Sequence, residues 1–326
     1  MMGGRWRIWS LAARFSAVFL PILWSVGVDA QEELHAYRQV AYESGHGTTV
    51  IKRGPGGTYY ALNRPDRCIW MFSSASNRIG RLGSIGMGPA DLISPKDVAV
   101  DGDGNAVVAD GSDMVKVFSP TGELLSSVPF HRPQHVATMA NGNLLVSGIP
   151  KEFLLYKFDN HAKQLAALGT PVKVDDDPFF NAVLNMGNIV VDSEDNIYYI
   201  FIHMLTPTVR KYKSDGTLLA EWHLTDGEVL AQNVDDAKRR YQENKKAKNY
   251  GGVEVLTAAF FDEHSKSLWV ASGAQLTELD SSGHTVRTVK LVLPDGRPIQ
   301  AEGILVERDT IRASGYMAGI FEFPRP

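Results

Sequence analysis

Between Ile93 and Phe130 the chain alternates four short apolar runs with turns built from Gly, Asp, Asn, Ser and Pro. Val98-Ala99-Val100 gives way to Asp101-Gly102-Asp103-Gly104-Asn105, and Ala106-Val107-Val108-Ala109 to Asp110-Gly111-Ser112-Asp113. Met114-Val115-Lys116-Val117-Phe118 gives way to Ser119-Pro120-Thr121-Gly122, and Glu123 to Phe130 completes the unit. Runs of about four to six residues rich in β-branched side chains, broken by such turns, predict an antiparallel four-strand meander.

The unit recurs. Its first turn returns as Ala140 to Asn143 and Asp192 to Asn196, and more loosely as Asp262 to Lys266 and Glu307 to Asp309. Its third run returns as Ile69 to Phe72, Leu155 to Phe158, Val209 to Tyr212, Leu276 to Leu279 and Ile320 to Phe323. Its closing turn returns as Ser214-Asp215-Gly216 and Ser281-Ser282-Gly283. A four-strand unit repeated every forty to fifty residues or so predicts an all-β fold, a six-bladed β-propeller of four-stranded antiparallel blades. The strands are continuous apolar runs, which suits sheets covered on both faces by neighbouring blades. The sixth unit ends after its third strand. Residues near 35–42 are expected to supply the missing outer strand and close the ring, because an open sheet edge invites aggregation.

Two steps between units are long, and each marks an insertion. In 170–187, Asp175, Asp176 and Asp177 precede Pro178-Phe179-Phe180. Three carboxylates could hold a hard cation such as calcium; without the spaced Asp/Gly ligands of an EF-hand they could equally be a solvated loop. Phe179 and Phe180 either tuck beneath the loop or rim a pocket. In 225–252 the spacing predicts one helical insertion. Thr225 with Glu228 has the capping-box pattern, Leu230, Val234, Ala237 and Tyr241 share a face, and Gly251-Gly252 offers a stop. Asp235 and Asp236 lie towards the start, Lys245, Lys246 and Lys248 towards the end, which suits the helix dipole. The narrow stripe suits a surface helix, packed on its own scaffold or docking a partner.

The N-terminus changes the domain count. Arg5, Arg7 and Arg14 precede an apolar run from Ser16 to Val28, then Val28-Asp29-Ala30 and a polar start at Gln31. That is the layout of a secretory signal peptide over residues 1–30, with an apolar run shorter than the roughly twenty residues of a membrane span. An exported single domain over 31–326 follows, with no stable membrane anchor after cleavage. Losing three Arg and one Asp turns 33 basic and 37 acidic side chains into 30 and 36, a net charge of −6. Such a balance gives no electrostatic footprint for nucleic acid. The single cysteine, Cys68, lies in an apolar strand and reads as a buried structural thiol.

Propellers place ligands at the central channel, so residues that begin each inner strand carry the candidate chemistry. Aligning the turns at Asn105, Asn143 and Asn196 puts Asp97, His135 and Asn188 in register, with Glu302 near the same level. Such a polar ring could hold a divalent cation, calcium or zinc, or a polar substrate, with a carboxylate or His as general base; channel water or strand ends could equally claim these groups. His131 and His135 are separated by Arg132-Pro133, which disfavours a helical two-His site. His203 is a further candidate for a soft-metal ligand. No nucleophile elbow, phosphate-binding Gly loop or His-Glu-x-x-His pattern occurs.

The unit resembles the NHL repeat of six-bladed propellers in the TolB-like superfamily. The matching residues are Pro95, Val98 to Asp101, Gly104-Asn105, Val108 to Asp110, Val115, Val117-Phe118 and Gly122-Glu123, with a similar linker at Gly83 to Pro89. The match is partial over Gln134 to Asp159 and Asn188 to Trp222, and faint elsewhere. Where such repeats carry Gly after the Pro, this chain has Asp97 and His135. The resemblance implies either a binding module or an enzyme, and the lack of a recognisable catalytic motif, with the aromatic and helical insertions, points to a non-catalytic module that binds a protein or small-molecule ligand on the propeller face. The alternative it implies is a metal-dependent lyase or lactonase-type hydrolase at the channel.

Overall fold

The computed structural model describes residues 31–40, 47–315 and 318–326. The signal-peptide segment 1–30 and residues 41 and 42 of the expected closing strand lie outside the described residues.

Six antiparallel sheets follow one another along the chain. Blade 1 is β3 (Thr48–Arg53), β4 (Tyr59–Asn63), β5 (Cys68–Phe72) and β6 (Arg78–Leu82). Blade 2 is β7 (Pro95–Val100), β8 (Ala106–Asp110), β9 (Met114–Phe118) and β10 (Leu124–Pro129). Blade 3 is β11 (His135–Thr138), β12 (Leu144–Ser147), β13 (Leu155–Phe158) and β14 (Gln164–Leu168). Blade 4 is β15 (Gly187–Val191), β16 (Ile197–Phe201), β17 (Thr208–Tyr212) and β18 (Leu218–His223). Blade 5 is β19 (Ala258–Asp262), β20 (Ser267–Ser272), β21 (Gln275–Leu279) and β22 (Thr285–Val292). Blade 6 is β23 (Gly303–Val306), β24 (Thr310–Gly315) and β25 (Gly319–Pro324). The first strands touch in the order β3, β7, β11, β15, β19, β23 and back to β3, so they form the inner ring.

The N-terminal segment stitches two blades. β2 (Arg38–Val40) lies antiparallel on β25, with Arg38 opposite Glu322 and Val40 opposite Ile320, and makes the fourth strand of blade 6. β1 (Glu32–His35) runs parallel to β22 as a fifth strand of blade 5, which the repeat pattern did not anticipate.

The apolar cores lie between neighbouring blades. Tyr60, Leu62 and Ile69 meet Val98, Val108 and Phe118 between blades 1 and 2. The repeat's landmark residues, Phe72, Phe118, Phe158, Tyr212, Leu279 and Phe323, are all buried at the ends of third strands. In the first five blades the pairing of third and fourth strands slips at that residue. A bulge there sharpens the twist that lets flat sheets fan around an axis. The turns are fixed by short side chains. Asp101 Oδ1 accepts from the N–H groups of Asp103 and Asn105, and Asp192 Oδ1 does the same for Glu194 and Asn196. Gly283 closes its turn at φ +84°, where a Cβ would stand 2.3 Å from the Trp222 ring.

Both insertions are ordered. α1 (Pro178–Leu184) replaces the expected loop, with Asp177 capping it by accepting from the N–H groups of Phe179 and Phe180 at 2.8 and 3.3 Å. α2 (Glu228–Ala247) is the expected helix. Its ends differ from the sequence reading. The Thr225 capping box does not form: Gly227 is the cap residue, and Gln275 Oε1 of β21 accepts from Leu230 N–H at 3.3 Å. Gly227 sits at φ +104°, and a Cβ there would collide with the buried Gln275 amide. The stop is Lys248 in the left-handed region, not Gly251-Gly252. Leu230 and Ala237 are buried against Trp222, Val255 and Leu256, so the helix's apolar stripe belongs to its own scaffold. Among the described residues no helix is long and apolar enough to cross a membrane.

Candidate functional site

At one end of the inner ring an open-mouthed cavity of about 130 Å³ is lined by residues from the first strand of every blade. Four expected residues reach it: His135 of β11, Asn188 of β15, Glu302 just before β23, and His203 beyond β16. Lys52 of β3, Lys96 of β7, Gln134 and Glu254 join them, and the sequence reading did not single these out.

Asp97 is not at the mouth. It is 1% exposed, and its Oδ1 accepts from Val98 N–H at 2.8 Å while Oδ2 accepts from Val136 N–H at 3.1 Å. The reason is local. The β7–β8 pairing slips between Pro95 and Asp97, which makes Lys96 the extra residue of a bulge and turns it to the cavity in place of Asp97. Asn188 shares the Asp97 motif, accepting from Ile189 N–H at 2.7 Å, so the two are true repeat equivalents. Only Asn188 also lines the cavity, and its amide NH2 makes no hydrogen bond to the described residues.

Asp97 supports His135 from behind. His135 Nδ1 lies 3.3 Å from Asp97 Oδ2, within ion-pair range but outside hydrogen-bond alignment. Burial pushes the Asp97 carboxyl up, yet the His135 imidazole, the Lys52 ammonium and the Val136 N–H together outweigh it and hold the carboxyl below its ordinary value. Asp97 therefore stays ionised and anchors two neighbouring inner strands.

Across the cavity His203 is nearly enclosed, and its Nδ1 has no hydrogen-bond partner among the described residues. Burial lowers its pKa, and His135 lowers it further; the Val253 backbone and the exposed Glu254 only partly oppose this. The imidazole is therefore neutral at pH 7. Gly252 makes the enclosure possible, since a Cβ there would stand 2.8 Å from the ring.

The lysines carry the unspent charge. Lys52 and Lys96 are half-buried, and neither makes an ion pair or hydrogen bond to the described residues. Of the cavity's acids, Glu302 is paired with Arg64 at 3.7 Å, Asp97 is held as above, and Glu254 is exposed, without an ion pair to the described residues. A half-buried ammonium without a partner is costly, and an anionic ligand would relieve that cost.

The two insertions flank this mouth and lock to each other. The Asp175 side chain is 1% exposed and meets Lys245 Nζ at 2.7 Å, and the Tyr241 hydroxyl donates to the same carboxylate. Burial raises the Asp175 carboxyl, but Lys245 and the N–H groups of Asp177 and Asp176 prevail and hold it below its ordinary value. Phe180 is buried against Tyr241 and Tyr250, while Phe179 is 66% exposed beside Tyr250. Asp176 is exposed and paired with Lys173 at 2.9 Å. The three aspartates thus serve a latch, a surface pair and a helix cap rather than one cation.

No group of three or more His, Cys, Asp or Glu side chains fit to hold a metal forms among the described residues. Of the four ring candidates, His135, Asn188 and Glu302 line the mouth, and Asp97 stands behind it. His131 is tied to Asp113 at 3.1 Å, apart from His135. Burial, with help from Asp66, pushes the Cys68 thiol up to about 12, so it is no nucleophile.

Comparison with known proteins supports the architecture. No protein-family model and no curated protein matches the sequence, so the NHL resemblance stays one of blade pattern. Solved propellers do match. Virginiamycin B lyase from Staphylococcus aureus aligns over 90% of this chain and 99% of its own, with a TM-score of 0.55 at 9% identity. A catalytically inactive variant of that enzyme with quinupristin aligns over 89% and 99%, with a TM-score of 0.57 at 8% identity. A streptogramin B lyase aligns over 87% and 84%, with a TM-score of 0.55 at 10% identity. At such identities the likeness is one of fold: this chain is a six-bladed propeller.

Proposed function

We propose that the protein is an exported propeller that binds a small anionic molecule at its channel mouth, without catalysis. The observation that carries this is the pair of half-buried lysines, Lys52 and Lys96, which make no ion pair or hydrogen bond to the described residues and face one cavity with the Asn188 amide, only Lys52 acting at longer range on Asp97. A carboxylate or similar group there gains charge-assisted hydrogen bonds from donors already held in place by the ring. Calorimetry with hexanoate as probe tests it. Binding to the native protein, weakened about tenfold in Lys96→Met and unchanged in Val286→Ala, at an exposed position of β22 in blade 5, is the expected result. Equal binding by native protein and Lys96→Met would refute it. Export is part of the proposal, and N-terminal sequencing of protein from the culture medium or periplasm should read from Gln31.

A second reading, a lyase or hydrolase in the same cavity, draws on one observation. His203 is neutral and sits across from His135, so it could take a proton from a bound acid. The solved lyases of the same fold make this reading worth testing. Mass spectrometry of a bound ligand after long incubation separates the two: an unchanged ligand supports binding alone, and a His203-dependent product supports catalysis.

A further inference from the structure

The mouth cavity does not end at the channel. Lys96, Gln134, Met186 and His203 also line a groove of about 640 Å³ that runs outward over blades 2 and 3. Its walls include the apolar or aromatic side chains of Met186, Val183, Ile149 and Tyr250. Arg132, His131 and Asp113 line it as well and do not line the mouth cavity. Asp113 is spent locally: its Oδ1 accepts from Arg132 N–H at 2.9 Å and its Oδ2 meets His131 at 3.1 Å. The exposed Arg132 guanidinium makes no ion pair or hydrogen bond to the described residues, and its charge acts at longer range on Asp113. Arg132 is also held at φ +52°, a left-handed conformation that side chains other than Gly, Asn and Asp seldom adopt. The Asp113 bond to its N–H helps to hold it there.

We propose that this groove is a second acid-binding subsite, and that the ligand is an elongated small molecule with an acidic group at each end and an apolar middle. One acid sits between Lys52 and Lys96, the apolar middle passes Met186 and Tyr250, and Arg132 takes the distal acid. A guanidinium suits that role, because its planar fork receives a carboxylate through two parallel bonds. This inference rests on the reading of the mouth as an anion site.

Calorimetry with two matched series tests it: straight-chain dicarboxylates from glutarate to sebacate, and the monocarboxylates of the same lengths. The native protein should prefer the dicarboxylate at some chain length by about tenfold. In Arg132→Gln and Arg132→Gly that preference should fall to about twofold or less. Arg132→Gly keeps the turn, since glycine adopts φ +52° freely, and it decides the question should Arg132→Gln fail to fold. No dicarboxylate preference at any length, or a preference that survives both variants, overturns the second subsite while leaving the mouth as a monocarboxylate site. No binding by either series overturns both.

Discussion

Blade 2 and the channel mouth share strand β7, yet they treat polar side chains in opposite ways. In blade 2 polar groups are spent on the fold. Asp110 is fully buried and accepts from the N–H groups of Ile93 and Ser94, from the Ser112 hydroxyl, and faces Lys116 at 3.6 Å. Lys116, itself buried, also donates to the Asp91 carbonyl. At the mouth, Lys52, Lys96 and the Asn188 amide make no ion pair or hydrogen bond of this kind among the described residues, and neither do the Nδ1 atoms of His135 and His203 form a hydrogen bond to them. Buried polar groups in folded proteins are almost always satisfied, so the half-buried polar groups left without hydrogen bonds at the mouth are the feature that the proposed ligand site would explain.

The hardest test of that contrast is Asp110→Ala. It strands a buried ammonium and two backbone N–H groups together, which should destabilise the protein by about 3–5 kcal/mol. Urea unfolding followed by circular dichroism measures it. A loss below about 1 kcal/mol would mean that blade 2 tolerates unpaired polar groups as the mouth does, and the contrast would fail.

The ring was legible in the sequence because it is said six times. A turn such as Asp192 to Asn196 is weak evidence alone, but its agreement with Asp101 to Asn105 and with Phe118 and Tyr212 fixes a blade. The site was legible only in part. His135, Asn188 and Glu302 were found by carrying the repeat register across blades, and they do line the mouth. Lys96 was missed and Asp97 misplaced by one feature, the bulge between Pro95 and Asp97. A one-residue slip exchanges the two faces of a strand, and no side-chain pattern announces it. Lys52 follows a similar irregularity between Thr48 and Ile51. The Asp175 latch was illegible for another reason: its partners Tyr241 and Lys245 lie in the other insertion, and nothing in either pattern refers to the other.

The latch gives an intermediate effect. Lys245→Met leaves the buried Asp175 carboxylate with the Tyr241 hydroxyl and backbone N–H groups only. Because Lys245 is about half exposed, the loss should be near 1–2 kcal/mol rather than the full cost of breaking a buried pair. The pH dependence has a definite sign. The folded-state pKa of Asp175 is depressed, so its stabilisation is complete above the ordinary value of 3.8 and is lost as pH falls through the lowered folded value. Limited proteolysis between the insertions should therefore accelerate in acid for the native protein, and less so for Lys245→Met. Equal acid sensitivity in both would remove Lys245 from the latch.

The smallest effect on stability is expected where the effect on binding is largest. Lys96 contributes an ammonium that nothing in the described fold neutralises, on a bulge whose backbone is held by the β7–β8 ladder whatever side chain it carries. Lys96→Met keeps the apolar stem against the cavity wall and removes only the charge. Its unfolding free energy should stay within about 0.5 kcal/mol of the native protein, or rise, since a half-buried charge without a partner is then gone. If Lys96 were a structural residue like Lys116, the same change would cost as much as a broken buried ion pair. Measured beside Asp110→Ala in one denaturation series, the variant asks whether two lysines of the same blade, one paired and one not, were kept for different reasons.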